Sequence, residues 1–478
     1  MRDALVLGFA VTGQAAARAL RGLGLTVIAV DDGEISPNTE RVASDLGVEL
    51  VARPPRALLA ELAGRSELVV LSPGVPPSHP IFAVADQDKI VAEIELAFSL
   101  SAVPVVAITG TNGKTTVTSL VTEILRAAGK RAEAVGNIGR PFIEAVSDTG
   151  TEIFVVEVSS FQLAWTKTFR PSVACWLNLA EDHLDWHAGL DEYAAAKARI
   201  WANQQSSDVA VVNADDPVVM KWSATAPGRA VTFGRREADF TERSGVIVGP
   251  TGPICAVSDL PRSLPHDVTN SCAASAVAMS AGADAASCAQ ALRLGVPMRH
   301  RIEFVGESEA IRYYDDSKAT TPSAVLAALT GLDPVILIAG GRNKGLDLGA
   351  IVDGLEEESA RDAGPGLGRL HGVVAIGESA ADIVRAFGER AGVPVQRTGS
   401  MAEAVETARA MARSGDSVLL SPGCASFDWY RSYGERGDDF ARAVRNLAER
   451  ESRSGADTKD PGEFETSSEG ESNEPTIT

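Results

Sequence analysis

The segment "VPVVAITGTNGKTTVTSLVTEILRAAG" (103–129) constrains the fold more than any other part of the chain. An apolar run that reads as a buried strand meets a glycine-rich turn, and an amphipathic stretch follows at once. Gly110 and Gly113 free the turn so that backbone N–H groups face a phosphate, and a helix opening at Lys114 adds its positive end. In this spacing Lys114 reaches β- and γ-phosphates, and the Thr115 hydroxyl is placed to hold Mg²⁺. The usual phosphate loop carries a glycine at position 108, where this chain has Ile108. A strand before and a helix after are nevertheless what such a loop requires, and they commit the chain to an α/β fold.

The same grammar recurs. "ALVLGFAVTGQAAARALRGLGLTVIAVDD" (4–32) gives a strand, a turn from Gly8 to Gly13, an alanine-rich helix, and a second strand ending in Asp31. An acidic residue about 20 positions past the glycines is the arrangement that holds a ribose. Ala10 stands where a dinucleotide cradle wants its middle glycine, so a redox dinucleotide and another nucleotide diphosphate are both open readings. Buried strands follow at "LVVLSPG", "EIFVVEV", "VACWLNL", "VAVVNAD", "PVILIAGG", "GVVAIG" and "SVLLSPG". With 478 residues, at roughly 150 per domain, about three domains are expected. They are a Rossmann-like N-terminal domain (1–99), a central ATPase domain of phosphate-loop type (100–297) and a Rossmann-like C-terminal domain (298–450). The segment 451–478 carries eight acidic and two basic residues and almost nothing apolar, which reads as a disordered tail.

Charge and cysteine content exclude several classes. A net charge of −20 argues against a general nucleic-acid binder, so anionic ligands need local lysines, arginines, helix ends or metal ions. The five cysteines are scattered without a CxxC pair, which supports neither a zinc knuckle nor a disulfide framework. No apolar run approaches the ~18 residues of a membrane span, and no signal-peptide pattern opens the chain. A soluble cytoplasmic protein is the expectation.

Other segments carry chemistry. Glu157, near the end of the apolar run "FVVEVSSFQL", needs a positive partner, and a metal ion beside the phosphate loop is the natural one. "NLAEDHLDWHAG" offers His183 as a metal ligand, while His187 reads as a cap or packing residue. Leu184 stands where a metalloprotease helix needs glutamate, so proteolysis is discounted. Lys197, among alanines in "DEYAAAKARIW", either snorkels to solvent or is buried with a lowered pKa or a covalent modification. In "YYDDSKATTPSAVLAAL", Asp316 and Lys318 precede a helix start at Thr320, Thr321 and Pro322, an anion pocket with a lysine added. Lys344 and Ser426 lie at further strand ends, and together these three segments make a binding face.

The motifs "GTNGKTT", "EVSSFQL", "NLAEDHLDWH", "YAAAKARI", "HRIEFV", "DDSKATTP" and "SPGCASFD" resemble those of the Mur ligases of bacterial peptidoglycan synthesis, in the family's order, from about residue 1 to 445. "GFAVTG", "DSKAT" and "SPGCASFD" are most similar to its D-glutamate-adding members. The resemblance implies an ATP-dependent, ADP-forming amide ligase that joins D-glutamate to UDP-N-acetylmuramoyl-L-alanine and works as a monomer. It implies that Gly110, Thr111, Asn112, Gly113, Lys114, Thr115 and Thr116 bind ATP with Asn270, Arg301 and Asp316, the last on the ribose. Thr115, Glu157, His183 and Lys197 would serve one or two Mg²⁺ ions, with Lys197 carbamylated by CO2. The catalytic set would be Lys114, His183, Lys197 and Arg301. Val11, Thr12, Asp31, Ser72, Gly74, Asn137, Ser159 and Gln162 would line the sugar-nucleotide path, and Lys318, Thr320, Lys344, Ser426, Phe427 and Tyr433 the D-glutamate face.

Two segments depart from the family pattern. Asp31 is followed by Asp32 and Gly33 rather than Thr-Arg, and His266-Asp267 replaces the commoner His-Asn; Tyr433 stands where an aromatic packing on glutamate is expected. Three other readings compete with this one. A folylpolyglutamate-type ligase would show GTNGKGS and lack the N-terminal nucleotide unit. An NAD(P) oxidoreductase leaves "GTNGKTT" unexplained. A non-catalytic nucleotide-binding regulator has no use for Lys114, Glu157, His183 and Lys197 together.

Overall fold

The structure, a computed structural model, describes residues 3–182, 186–235, 237–360 and 364–457. Its first sheet uses β1 (Asp3–Leu7), β2 (Thr26–Asp31), β3 (Glu49–Ala52), β4 (Leu68–Leu71) and β5 (Ile90–Ala92), all parallel, in the order β3-β2-β1-β4-β5. The order reverses between β1 and β4, where open α/β sheets bind ligands. Gly13 is demanded there: a Cβ on it would lie 1.8 Å from the Gly8 carbonyl oxygen, so only glycine lets the helix Val11–Gly22 sit this close to the turn.

The second sheet contains β6 (Val105–Thr109), β7 (Ala132–Gly136), β8 (Ile153–Glu157), β9 (Val173–Trp176), β10 (Val209–Asn213) and β11 (Arg229–Phe233), ordered β11-β10-β9-β6-β8-β7 and parallel throughout. The inner strands β6, β8, β9 and β10 are buried on both faces, which explains their near-continuous apolar sequence. A small antiparallel sheet of β12 (Thr241–Arg243), β13 (Val246–Gly249) and β14 (Gly252–Ala256) follows, and the sequence reading missed it. These strands have three to five residues, too few for alternation to register.

The third sheet holds β15 (Glu303–Ser308), β16 (Ile311–Asp315), β17 (Val335–Gly340), β18 (Leu370–Ile376), β19 (Val395–Arg397) and β20 (Ser417–Leu420), ordered β15-β16-β20-β17-β18-β19. It is parallel except for the β15–β16 hairpin, which turns through Glu309 and Ala310, both at positive φ. The chain is therefore an α/β protein of three domains.

The sequence reading starts the tail at residue 451. The helix Tyr433–Asp457 runs past residue 450, because the Glu451 carboxylate finds Arg409 (3.1 Å) and the Ser308 hydroxyl. The acidic segment thus begins inside a helix that meets basic and polar partners, and residues 458–478 lie outside the described residues.

The first and second sheets are fastened by a buried carboxylate. Glu95, on the helix Glu93–Leu100, accepts from the backbone N–H groups of Lys167, Thr168 and Phe169 (2.9, 2.7 and 3.0 Å). The neighbouring Phe82 and Trp165 rings stack with centroids 4.7 Å apart.

Candidate active site

The phosphate loop is held from outside. Asn178, just past β9, accepts from the N–H groups of Thr111 and Asn112 (3.0 and 2.8 Å) and donates to the Asn112 carbonyl (3.1 Å). Gly113 has φ of 82°, and a Cβ there would meet the Asn270 amide oxygen at 2.8 Å, so the turn and its packing both need glycine. Lys114 opens the helix Lys114–Ala127 and donates back to the carbonyls of Gly110 (3.0 Å) and Thr111 (2.9 Å). Burial lowers its pKa, opposed by the charges of Glu157 and Asp182.

Lys197 is buried, not snorkelling. It comes from the helix Leu190–Ala198, donates to the Gly110 carbonyl (2.8 Å), and lies 4.5 Å from the Tyr193 ring centroid. Burial holds its pKa well below the usual lysine value, with the Lys114 charge adding to the effect and Asp182 opposing it. Two ammonium groups thus share one carbonyl in a dry site.

Glu157, the last residue of β8, accepts from the Asn137 amide (2.8 Å) through one oxygen. Among the described residues its other oxygen, which is buried, has no hydrogen-bond partner. An orphaned carboxylate oxygen facing a phosphate loop suits a cation, so the donor set fits Mg²⁺. The Thr115 hydroxyl, its expected co-ligand, accepts from Arg301 (2.9 Å). His183 lies outside the described residues. His187, as expected, packs: it is buried and pairs with the Ser160 hydroxyl (3.0 Å).

One cavity of about 180 Å³ is lined by Thr111, Asn112, Gly113, Lys114, Thr115, Asn137, Glu157 and Asp182 of the central domain. Arg301, Lys318, Thr320 and Lys344 come to it from the third domain. A second cavity, about 220 Å³, contains Thr116, Asn270 and Asp316. Asp316 is buried and accepts from the Ser421 hydroxyl (2.8 Å). Burial raises its pKa to about 7, against the opposing effects of that hydrogen bond and the Arg301 charge. Lys318 donates to the Tyr433 hydroxyl (3.1 Å) and lies over its ring at 4.6 Å. Ser426 is buried and Phe427 is exposed, and neither is among the groups lining these two cavities.

A third cavity, about 530 Å³, lies at the switch point of the first sheet and takes Val11, Thr12, Asp31, Ser72, Gly74 and Asn137. Asp31 has a structural duty here, because its two oxygens accept from the N–H groups of Phe9 (2.6 Å) and Gly33 (2.8 Å). Ser159 and Gln162 are not brought to this cavity. They form the capping box of the helix Ser160–Ala164.

Sequence reasoning missed Asn178, Asp182 and Arg436. Asp182 lines the catalytic cavity and shifts both lysines. Its signal was present in "AEDH", where the histidine drew attention instead. Arg436, fully buried, donates to Ser317 through its hydroxyl (2.9 Å) and carbonyl (2.7 Å), and to the Cys424 carbonyl (3.1 Å), bracing both third-domain motifs. It sits inside a charged helix, so nothing in the pattern singled it out.

The chain is 42% identical over 462 residues to a UDP-N-acetylmuramoylalanine--D-glutamate ligase of Frankia casuarinae, covering 92% of this chain and 93% of the relative. The chain belongs to the Mur ligase family. The family model of the Mur ligase middle domain matches residues 108–278, and that of the Mur ligase glutamate ligase domain matches 300–424. A ligase of the same name from Thermobifida fusca is 38% identical, over 94% of this chain and 99% of the relative. Among solved structures, the Mur ligase MurC of Thermotoga maritima covers 95% of this chain and all of its own, with a TM-score of 0.56 at 19% identity, and shares the fold. A pseudomurein peptide ligase type C from Methanothermus fervidus does likewise at 0.58 and 16%, covering 94% of this chain and all of its own. A Mur ligase is an ATP-dependent, ADP-forming enzyme.

Proposed function

We propose that this chain adds D-glutamate to UDP-N-acetylmuramoyl-L-alanine. The observation that carries the reading is the 180 Å³ cavity, where phosphate-loop groups of one domain face Lys318, Thr320 and Lys344 of another. The relatives at 38 to 42% identity carry that activity in their names.

A carboxylate will not accept an amine at neutral pH until one of its oxygens becomes a leaving group. Transfer of the γ-phosphoryl group of ATP to the alanyl carboxylate supplies one, and charge on the moving group requires cations around it. Lys114 and Arg301 provide two. Thr115, Glu157 and His183 would hold Mg²⁺, which supplies further positive charge to the phosphates. The amine of D-glutamate attacks the acyl phosphate, and phosphate leaves as the amide forms. Lys318, Thr320 and Lys344 would hold the D-glutamate carboxylates, with Tyr433 orienting Lys318. Ser426 and Phe427 would complete that face when the domains close. The 530 Å³ cavity would take the uridine diphosphate, its phosphates near Val11 and Thr12.

Every group in this scheme comes from one chain, so a monomer suffices. The need for ATP assigns the work to the cytoplasm. Among the described residues no helix is long and apolar enough to cross a membrane.

Phosphate release is expected only when the sugar nucleotide and D-glutamate are both present with ATP and Mg²⁺. Equal turnover with L-alanine or diaminopimelate in place of D-glutamate would refute the assignment. A pH test addresses Asp316. As the ribose acceptor it must be ionised, and it holds its proton up to about pH 7 in the free enzyme. The KM for ATP therefore rises as pH falls from 8 to 6, approaching about tenfold per unit below 7. In Asp316→Asn the KM is higher and this slope disappears; an unchanged slope would remove Asp316 from the ATP site.

A further inference from the structure

We propose that the Arg262–Asp267 ion pair is a hinge clamp that sets the position of Arg301 over the phosphate loop. The role given to Arg301 rests on the function proposed above; the clamp geometry does not. Arg262 lies in the loop leading to the helix Pro265–Ser280, and Asp267 is in that helix's first turn. Arg262 Nε and Nη2 donate to the two carboxylate oxygens, each at 2.7 Å, a parallel two-bond fork. The same carboxylate also accepts from the Leu264 N–H (3.2 Å). The guanidinium is thereby fixed to the central domain with Nη1 left over.

Nη1 is spent across the domain boundary. It donates to the carbonyls of Arg301 (2.7 Å) and Ile302 (3.0 Å), the residues that lead into β15. The backbone here is under constraint, because His300 and Ile302 have φ of 61° and 48°. A β-branched residue does not take the left-handed region by preference, so surrounding contacts must hold it there. Arg262 supplies two such contacts, at carbonyls flanking the strained link. The outcome is visible in the Arg301 side chain, which arrives on the Thr115 hydroxyl at 2.9 Å. Arg262, Asp267 and Arg301 together line both the 220 Å³ cavity and a neighbouring one of about 270 Å³, so the clamp stands in the wall of the nucleotide site.

Asp267 balances the Arg262 guanidinium, which a neutral amide at that position could not do. Lysine could not replace Arg262, since an ammonium lacks the fork that serves a carboxylate and two carbonyls at once.

A neutral double variant separates positioning from mere stability. Asp267→Asn alone leaves a half-buried cation unbalanced and lowers the melting temperature. Combined with Arg262→Met, it removes both charges, and the melting temperature returns towards wild type. The two hinge carbonyls remain unheld in that double variant. Its kcat is therefore expected to stay on the order of 10- to 100-fold down, with weaker binding of a fluorescent ATP analogue and an unchanged KM for the sugar nucleotide. Arg262→Lys is expected to recover only part of the activity. A double variant that regains both stability and kcat would overturn the proposal, as would wild-type kcat and nucleotide affinity in Arg262→Ala. Failure of the functional reading shows separately, as wild-type phosphate release that does not depend on D-glutamate.

Discussion

Lys114→Ala is expected to lower kcat by on the order of 10³-fold, while the sugar nucleotide binds within about 2-fold of wild type. The ammonium is already fixed by the Gly110 and Thr111 carbonyls before any ligand arrives, so it reorganises little when the γ-phosphoryl group moves. It works in a site dry enough to lower its own pKa, where a charge acts most strongly on a nearby phosphate. The sugar-nucleotide cavity belongs to the first sheet and does not include Lys114. Single-turnover kinetics should locate the loss in the phosphoryl step, and calorimetry with UDP-N-acetylmuramoyl-L-alanine should show intact binding. Loss of sugar-nucleotide binding as well would mean that the domains do not divide the substrates as proposed.

Lys197→Ala is expected to cost on the order of 10² to 10³-fold in kcat, and formate or acetate should restore part of it. Carbamylation joins the neutral amine to CO2 and releases a proton, so it needs an unprotonated lysine. Burial and the Lys114 charge both shift Lys197 toward that form. The product is an anion beside Lys114, so the two side chains that meet at the Gly110 carbonyl become an attracting pair. Activity of the wild-type enzyme should fall in CO2-depleted buffer and return with bicarbonate. A variant that no carboxylate rescues, with metal affinity intact, would remove the carbamate from the scheme.

Parallel strands and their glycine loops were legible because burial on both faces leaves unbroken apolar runs, as at Val105–Thr109 and Ile153–Glu157. The small sheet at 241–256 was not, since its strands are short and partly exposed. In the site, Lys114 and Glu157 announced themselves as charges at apolar strand ends. Lys197 left two readings open, because spacing alone does not say which face of an alanine-rich helix is covered. Ser159 and Gln162 sit in a motif that looks like a binding segment yet closes on itself as a helix cap. Asp31 lines the first-sheet cavity, but its backbone bonds follow from loops that meet only in three dimensions. Arg262 gave no signal in the sequence, since both carbonyls it holds lie about 40 residues downstream.

The Glu95 clasp has a consequence for rate. It ties the segment after β5 to Lys167–Phe169 of the central domain, outside the lining of the three cavities. In the proposed scheme, fixing one nucleotide cavity against the other sets the effective molarity of the alanyl carboxylate at the γ-phosphate, a quantity that a small misplacement can cut by about 10²-fold. In that scheme a glutamate in a domain seam helps to decide how often two substrates meet.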